Sequence, residues 1–442
     1  MARKRDIIKK GFSKLLKEDK LKLVADYFEN PGEFISLLKS FWHLDQDQQR
    51  LFDEFSENTI SNFYIPYGIS PNVIINGTNY LVPMVIEESS VVAAASAAAN
   101  FWMQRGGFRA EVVDVKKIGQ VFFRWEGKAE TLQALMPLLS KKLRERAKPI
   151  TANMERRGGG VCDISLIDMT DKIPHHYQLM VTFDTGNAMG ANFINSVLEE
   201  FGETLRFFLA EQTQLNIQER QAEIIMSILS NYTPNCLVKV WVECPINQLD
   251  NADEKLSGKE FVQKFATAVK IAQEDVYRAT THNKGIYNGI DAVAVATGND
   301  FRAIEAAGHT YASRDGQYRS LSHVELADDT FRFVLEVPIA VGTVGGLTNL
   351  HPLAKKSLEM LGNPSSKELM MIAATMGLAN NFSAIRSLIT KGIQAGHMKM
   401  HLHNILNHFN ANEAEKEAVA EHFKTEKISF ANVSKYIQSL RK

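Results

Sequence analysis

Over the first sixty residues apolar side chains recur at helical spacing (Ile7, Ile8, Phe12, Leu15 and Leu16, then Leu23, Tyr27 and Phe28) between charged positions, which predicts short amphipathic helices. The period then changes. In "NVIINGTNYLVPMVIEE" an Asn76-Gly77 pair separates two β-rich runs and predicts a two-residue hairpin. Ser89 or Ser90 stands where it caps a helix through "VVAAASAAANFW", whose alanines let another backbone come close. From about 110 to 225 the order is a strand-like run "AEVVDVKKIGQVFFRW", a helix over about 128–147, strands in "VCDISLID" and "HHYQLMVTFDT", and a helix over about 188–210. Tyr177, Leu179, Val181 and Phe183 alternate along the second strand, so one face is buried. Ser257 with Glu260 forms a capping box for a helix whose Phe261, Phe265, Val269, Ala272 and Val276 make one apolar stripe. Beyond residue 400 two or three small helices carry few large apolar residues, the mark of a piece that packs lightly and moves.

A chain of 442 residues exceeds what one hydrophobic core usually covers, so two or three domains are expected, with the 110–225 segment a compact α+β unit inserted into a larger one. Lysine and arginine number 50 against 51 aspartates and glutamates, a balance that supplies no bulk attraction for nucleic acid. The basic N-terminus reads as a solvated face rather than a membrane or anion contact. Cys162, Cys236 and Cys244 form no CxxC pair, which argues against a disulfide framework or a zinc knuckle and favours a reducing compartment. No apolar run reaches the roughly 18 residues needed to span a bilayer, so the expectation is a cytoplasmic protein without a membrane partner.

Chemistry concentrates in "ATTHNKGIYNGIDAVAVATGND". Arg278, His282, Asn283, Lys284 and Asn288 fall within eleven residues, read as a polar loop just past a helix end, a density of donors that suits an anionic or carbonyl-bearing ligand. Asp300 either lies in a low-dielectric neighbourhood made by Ala292–Ala296 or caps the helix "FRAIEAAGHTYA". Glu87 and Glu88 sit at a helix start, where a glutamate ordinarily just favours the dipole. The loops "VGTVGGLTNLHP" and "TGNAMGANFINS" each set glycines ahead of a helix, where backbone N–H groups meet phosphate, although neither is a GxGxxG fingerprint. His397 and His401 lie one helical turn apart near His403, but without a carboxylate or cysteine nearby no metal is expected.

Taken together, "VPMVIEESSVVAAAS", "GNAMGAN", "ILSN", "YRATTHNKGIYNGIDAVAVATGND", "AVGTVGG" and "GIQAGHMKMHLHN" occur in an order that resembles the class II (soluble, bacterial-type) hydroxymethylglutaryl-CoA reductases, over roughly residues 55–405. The resemblance implies an α+β fold: a large mixed α/β substrate domain, an inserted ferredoxin-like small dinucleotide-binding domain and a C-terminal helical flap. The implied boundaries are 1–110 and 223–392 for the large domain, 111–222 for the insert and 393–442 for the flap. It implies reduction of hydroxymethylglutaryl-CoA to mevalonate and CoA by two successive hydrides in isoprenoid biosynthesis. Partners would be these small molecules and a second subunit, in a homodimer with the active site at its interface and possible higher assembly. The family's catalytic residues match Glu88, Lys284, Asp300 and His397, its substrate contacts Ser90, Asn231, Arg278 and Asn288, and its cofactor contacts Asn187, Met189, Gly190 and Asn192.

The implied chemistry accounts for these residue types. Hydride attack on the thioester makes an oxyanion, which a fixed ammonium such as Lys284 stabilises more in the transition state than in the ground state. Asp300, hydrogen-bonded to that lysine, would keep it charged and aimed. His397 would protonate the departing thiolate, and Glu88 would be the acid for the aldehyde step, which requires burial to outweigh the helix dipole. Two departures bear on the cofactor. Some NADH-using relatives carry an aspartate shortly before the "GGG" of the small domain; "RAKPITANMERRGGG" has none, and Arg144, Arg146, Lys148, Arg156 and Arg157 lie around it, which favours the 2′-phosphate of NADPH while leaving NADH possible. The family's "DAMGAN" is "NAMGAN" here, with Asn187 replacing the acid. Two alternatives stay open: a catabolic enzyme oxidising mevalonate with NAD, and a CoA- or nucleotide-binding protein without catalysis.

Overall fold

The computed structural model describes residues 11–250, 252, 256–390, 402, 405–423, 426 and 428–441. Contacts divide the chain into a compact unit ending at Pro66 and a second beginning at Tyr67, so the expected first segment, 1–110, is itself divided. The first unit holds helices α1 (Lys17–Ala25), α2 (Pro31–Ser40) and α3 (Gln46–Asp53), as the helical spacing predicts. Asp45 caps α3 by accepting from the N–H groups of Asp47 and Gln48, and Lys17 pairs with Asp53 at 2.7 Å. Leu44 and Phe63 nevertheless remain 100% and 90% exposed.

The second unit opens on strands β1 (Tyr67–Ile75) and β2 (Thr78–Val85), whose two-residue turn puts Asn76 at φ 49° and Gly77 at φ 87°, the type I′ geometry that Asn-Gly predicts. Helix α4 (Val91–Met103) follows. The single strand-like run expected next is divided in two. Strand β3 (Arg109–Val112) leaves for the larger sheet, and β4 (Lys117–Trp125) begins a separate one.

That second sheet forms with α5 (Ala129–Glu155), β5 (Gly160–Asp168), β6 (His176–Asp184), α6 (Ala191–Glu211) and β7 (Ala222–Ser230). Its strand order is β5-β6-β4-β7, antiparallel throughout, built as β-α-β-β-α-β. Helix α5 runs past the expected end and through Pro137 and Pro149. Its inner face, Leu132, Leu135, Leu139, Leu143, Ala147 and Thr151, stays buried, and that packing outweighs the hydrogen bonds the prolines remove. α6 lies so near the sheet that a Cβ on Gly119 would meet Leu198 Cδ1 at 2.5 Å. The sheet's last strand ends eight residues beyond the boundary expected at 222.

The chain then returns to the larger sheet through β8 (Leu237–Pro245). Ser257 and Glu260 form the expected capping box of α7 (Gly258–Glu274), and the stripe Phe261, Phe265, Val269, Ala272 is buried. Val276 is not part of it. Asp275 adopts an extended conformation and accepts from the N–H of Arg278, ending α7 and capping a new helix, α8 (Val276–Ala296). The segment read as a polar loop is therefore helix almost to its end. α9 (Phe301–Ala312), β9 (Ser322–Ala327), β10 (Thr330–Pro338), α10 (Leu347–Leu350), α11 (Pro352–Met360) and α12 (Ser366–Ile389) follow, and the sheet order is β3-β8-β10-β9. Helices Glu413–His422 and Phe430–Leu440 share a small apolar cluster that includes Leu406, Val419, Val433 and Ile437. No described helix is long and apolar enough to cross a membrane, and no described group of three His, Cys, Asp or Glu side chains is arranged for a metal.

α8 and α12 cross at glycines. A Cβ on Gly289 would lie 2.1 Å from the carbonyl oxygen of Met376, and one on Gly377 would lie 2.8 Å from Ile290 Cγ1. On the flank toward α9, burial first and then the charge and hydrogen bond of Glu305 push the Asp291 carboxyl up to about 8. Among the described residues, Asp291 Oδ1 and the buried Tyr287 hydroxyl have no hydrogen-bond partner.

Gly289→Ala should therefore lower unfolding free energy by about 3 kcal/mol, the upper range for overpacking a tight interface, as read by denaturant titration. Gly285→Ala, with nothing within 4 Å of its Cβ, should instead leave stability equal or raise it by up to about 1 kcal/mol. Because the folded state holds a proton on Asp291 that the unfolded chain releases near 3.8, stability should fall as pH rises from there to about 8. Asp291→Asn should raise the melting temperature at pH 8 by about 2 °C or more, and the gain should vanish near pH 4; a gain equal at both pH values would remove Asp291 as its source.

Candidate active site

Lys284 occupies the exposed side of α8 and donates from Nζ to Glu88 Oε2 at 2.8 Å. Glu88 comes from the short link between β2 and α4. Ser90, at the N-cap position of α4, does not cap it: its backbone is already helical, and Oγ donates to Glu88 Oε1 at 3.2 Å. The two ends of one carboxylate are thus held by an ammonium and a hydroxyl. Glu88 is 37% and Lys284 60% exposed at the side chain, so the burial expected for Glu88 is not supplied by this chain alone. An ion pair so exposed adds at most about 1 kcal/mol to stability, and its consequence is geometric.

The five donors read from the sequence separate into two sets. His282 and Asn283 face the core. His282 Nε2 meets Ser322 Oγ at 2.6 Å, burial drives its pKa down to about 3, and Asn283 bridges the Arg319 carbonyl and the Leu321 N–H. They hold the helix and are not ligand donors. Arg278 and Asn288 are half-buried, and neither side chain hydrogen-bonds to a described residue; burial lowers the Arg278 pKa from its ordinary value. Asn231 is exposed just after β7.

Asp300 adopts the capping role. It accepts from the N–H groups of Arg302 and Ala303 at the start of α9, and its carboxylate is paired with the Arg302 guanidinium at 3.0 Å. The hydrogen bond to Lys284 expected from the resemblance is not formed, because Lys284 is paired with Glu88 and Asp300 with Arg302. Burial pushes the Asp300 carboxyl up, but Arg302 and the two backbone N–H groups outweigh it and hold it below the usual carboxylate value.

The two glycine loops, unrelated in sequence, meet. Thr343 N–H donates to the Asn187 carbonyl at 2.8 Å, Ala188 bridges Val344, and a Cβ on Gly342 would lie 2.4 Å from Met189 N. Asn187 Oδ1 accepts from Ser366 N–H at the start of α12 at 2.9 Å, so this side chain ties the second sheet's loop to α12. On the other side of the strap, Gly342 N–H donates to Asn299 Oδ1 at 2.8 Å, one residue before Asp300. Gly190, at φ 91°, stands at the N-cap of α6 without any side-chain cap, and Asn192 is exposed in the first turn. The expected cationic cluster does not converge. Arg144 donates to the carbonyls of Val161 and Cys162, Lys148 pairs with Glu155, and Arg146, about 200° round α5 from Arg144, is paired with Glu200.

His397, with His401 and His403, lies outside the described residues. Sequence reasoning missed Asn299 and Ser366, which join the loops, Asp275, which starts α8, and Lys117. Asp275 could have been found as an N-cap three residues before Arg278; Lys117 lies within a strand-like run and carries no local signal of burial.

Comparison with known proteins places this geometry in a family. Residues 18–402 match the model of the hydroxymethylglutaryl-coenzyme A reductases. The chain is 35% identical to the 3-hydroxy-3-methylglutaryl-coenzyme A reductase of Archaeoglobus fulgidus, covering 93% of this chain and 89% of that protein. It is 32% identical to the probable enzyme of that name from Borreliella burgdorferi, over 92% and 91%. Among solved structures, the reductase of Streptococcus pneumoniae superposes with a TM-score of 0.70 at 34% identity, covering 97% of this chain and 99% of that one. The class II enzyme of the same organism, bound to NADPH in open conformations, gives 0.68 at 38%, over 86% and 99%.

Proposed function

The chain belongs to the hydroxymethylglutaryl-coenzyme A reductase family, and we propose that it reduces (S)-3-hydroxy-3-methylglutaryl-CoA to mevalonate and free CoA with NADPH, at a site centred on Lys284. The observation that carries this is the 2.8 Å contact between Lys284 Nζ and Glu88 Oε2, which sets a cation and a carboxyl group within one hydrogen bond of each other.

A nicotinamide supplies the two hydrides. Lys284 stabilises the oxyanion that forms at the thioester carbonyl oxygen, and Glu88, oriented by Ser90, passes a proton to the aldehyde oxygen in the second reduction. The half-buried guanidinium of Arg278, without an ion pair among the described residues, suits the substrate's free carboxylate, and Asn288 and Asn231 suit its hydroxyl and carbonyl oxygens. Asp300 acts through the shape and charge of the α9 start. His397 protonates the departing thiolate when the C-terminal helices close as a flap and exclude water.

The β-α-β-β-α-β unit is proposed as a ferredoxin-like dinucleotide-binding insert, supported by the uncapped N-terminus of α6 behind Gly190. Asn187, Met189 and Asn192 line that end. Arg157, whose side chain forms no hydrogen bond or ion pair with a described residue, is the nearest fit to a 2′-phosphate. A homodimer would complete the site: a second copy would bury Glu88 further. The reaction serves isoprenoid biosynthesis in the cytoplasm.

A spectrophotometric assay with hydroxymethylglutaryl-CoA and each reduced nicotinamide should show oxidation of NADPH in preference to NADH; a preference for NADH, or faster turnover toward mevalonate oxidation, would overturn the cofactor and direction. Lys284→Ala should reduce turnover of both half-reactions by about 10³-fold with substrate binding retained. His397→Gln should impair thioester reduction selectively and leave mevaldehyde reduction nearly intact; equal damage to both would make His397 structural.

A further inference from the structure

Lys117 is the first residue of β4, paired with Phe183, and is 6% exposed. Its ammonium donates to Thr185 Oγ1 at 2.5 Å and to the Ala188 carbonyl at 2.9 Å, and Thr185 Oγ1 in turn donates to the same carbonyl at 2.7 Å. Both acceptors are neutral and both belong to the turn that leads into α6. No carboxylate lies within ion-pair distance among the described residues. Burial lowers the lysine's pKa, and the neighbouring Cys236 and Asp184 only partly offset this. A buried cation without an ion-pair partner costs stability, and an apolar side chain of the same length would cost less. Its placement makes sense if negative charge arrives on the far side of the turn, where Gly190 leaves the first N–H groups of α6 uncapped.

We infer that Lys117 is a positioning residue for the dinucleotide: its ammonium fixes the 185–188 turn from behind, and the pyrophosphate bound in front of the turn is the anion it serves. Thr185 is the hydroxyl through which it acts. The inference rests on the reading of the 185–192 loop as the dinucleotide site, and it requires Lys117 to touch the loop and not the ligand.

The test is steady-state kinetics with NADPH and hydroxymethylglutaryl-CoA on Lys117→Met, Thr185→Val and Asn192→Ala, with melting temperatures alongside. Lys117→Met should raise the KM for NADPH about tenfold, leave kcat and the KM for the CoA substrate within about twofold, and keep or raise the melting temperature. A lower melting temperature with both KM values moved together would mean a structural lysine and would overturn the inference. Thr185→Val, which keeps the cation but cuts its link, should raise the KM for NADPH about threefold; no change there would overturn it even if Lys117→Met does not fold. Asn192→Ala reports on the loop itself. If it leaves the KM for NADPH unchanged, the loop is not the dinucleotide site and the inference falls with that reading; if it weakens NADPH while Lys117→Met does not, only the inference fails.

Discussion

At residue 289 the backbone of α8 comes so near α12 that a side chain would lie 2.1 Å from the carbonyl oxygen of Met376. Two helices that close have no room to slide or rotate, because interiors packed to this density respond to displacement by clash. α12 also holds α4, through Ser383 donating to the Ala94 carbonyl at 2.7 Å and Phe382 against Phe101. One helix is therefore the common wall behind both halves of the site. Lys284 arrives from α8 and Glu88 from the link ahead of α4, and their contact at 2.8 Å follows from two independent dockings onto the same surface.

The same wall reaches the second sheet. The first N–H of α12, on Ser366, is held by Asn187, and its hydroxyl donates to the Gly186 carbonyl at 2.9 Å. The 342–344 strap lies between that loop and Asn299, so Asp300 and the start of α6 are fixed relative to each other by two hydrogen bonds, from Thr343 N–H to the Asn187 carbonyl and from Gly342 N–H to Asn299 Oδ1. A reaction that passes hydride between two bound molecules needs this, since a misplacement of about 1 Å lowers rate steeply. Glycine is required at 342 for the strap to approach and at 190 for the left-handed turn that opens α6.

Several elements were legible because their signals are local. The Asn-Gly turn, the Ser257–Glu260 box, the alternation over 177–183 and the capping role of Asp300 each rest on a few neighbouring residues. Errors came where a distant partner decides. Residues 279–296 looked like a loop because asparagine, glycine and histidine are poor helix formers, yet His282 and Asn283 are matched by Ser322, Arg319 and Leu321, and Gly289 by Met376. The helix expected over about 128–147 continues through Pro149, because the inner face of α5 stays buried to Thr151.

The sequence by itself determined the family, through six segments in order, and with it which side chains are candidates for chemistry. It also set the hairpin, the helix caps and the strand faces, because these depend on residues within one or two turns of each other. Only the tertiary structure decided which candidates meet: that Lys284 takes Glu88 and leaves Asp300 to Arg302, that two weak glycine loops form one junction, that Arg144 and Arg146 point apart, and that Lys117 is buried beneath a turn. Those are statements about distance across the chain, and distance across the chain is set by the close packing of helices that no local pattern encodes.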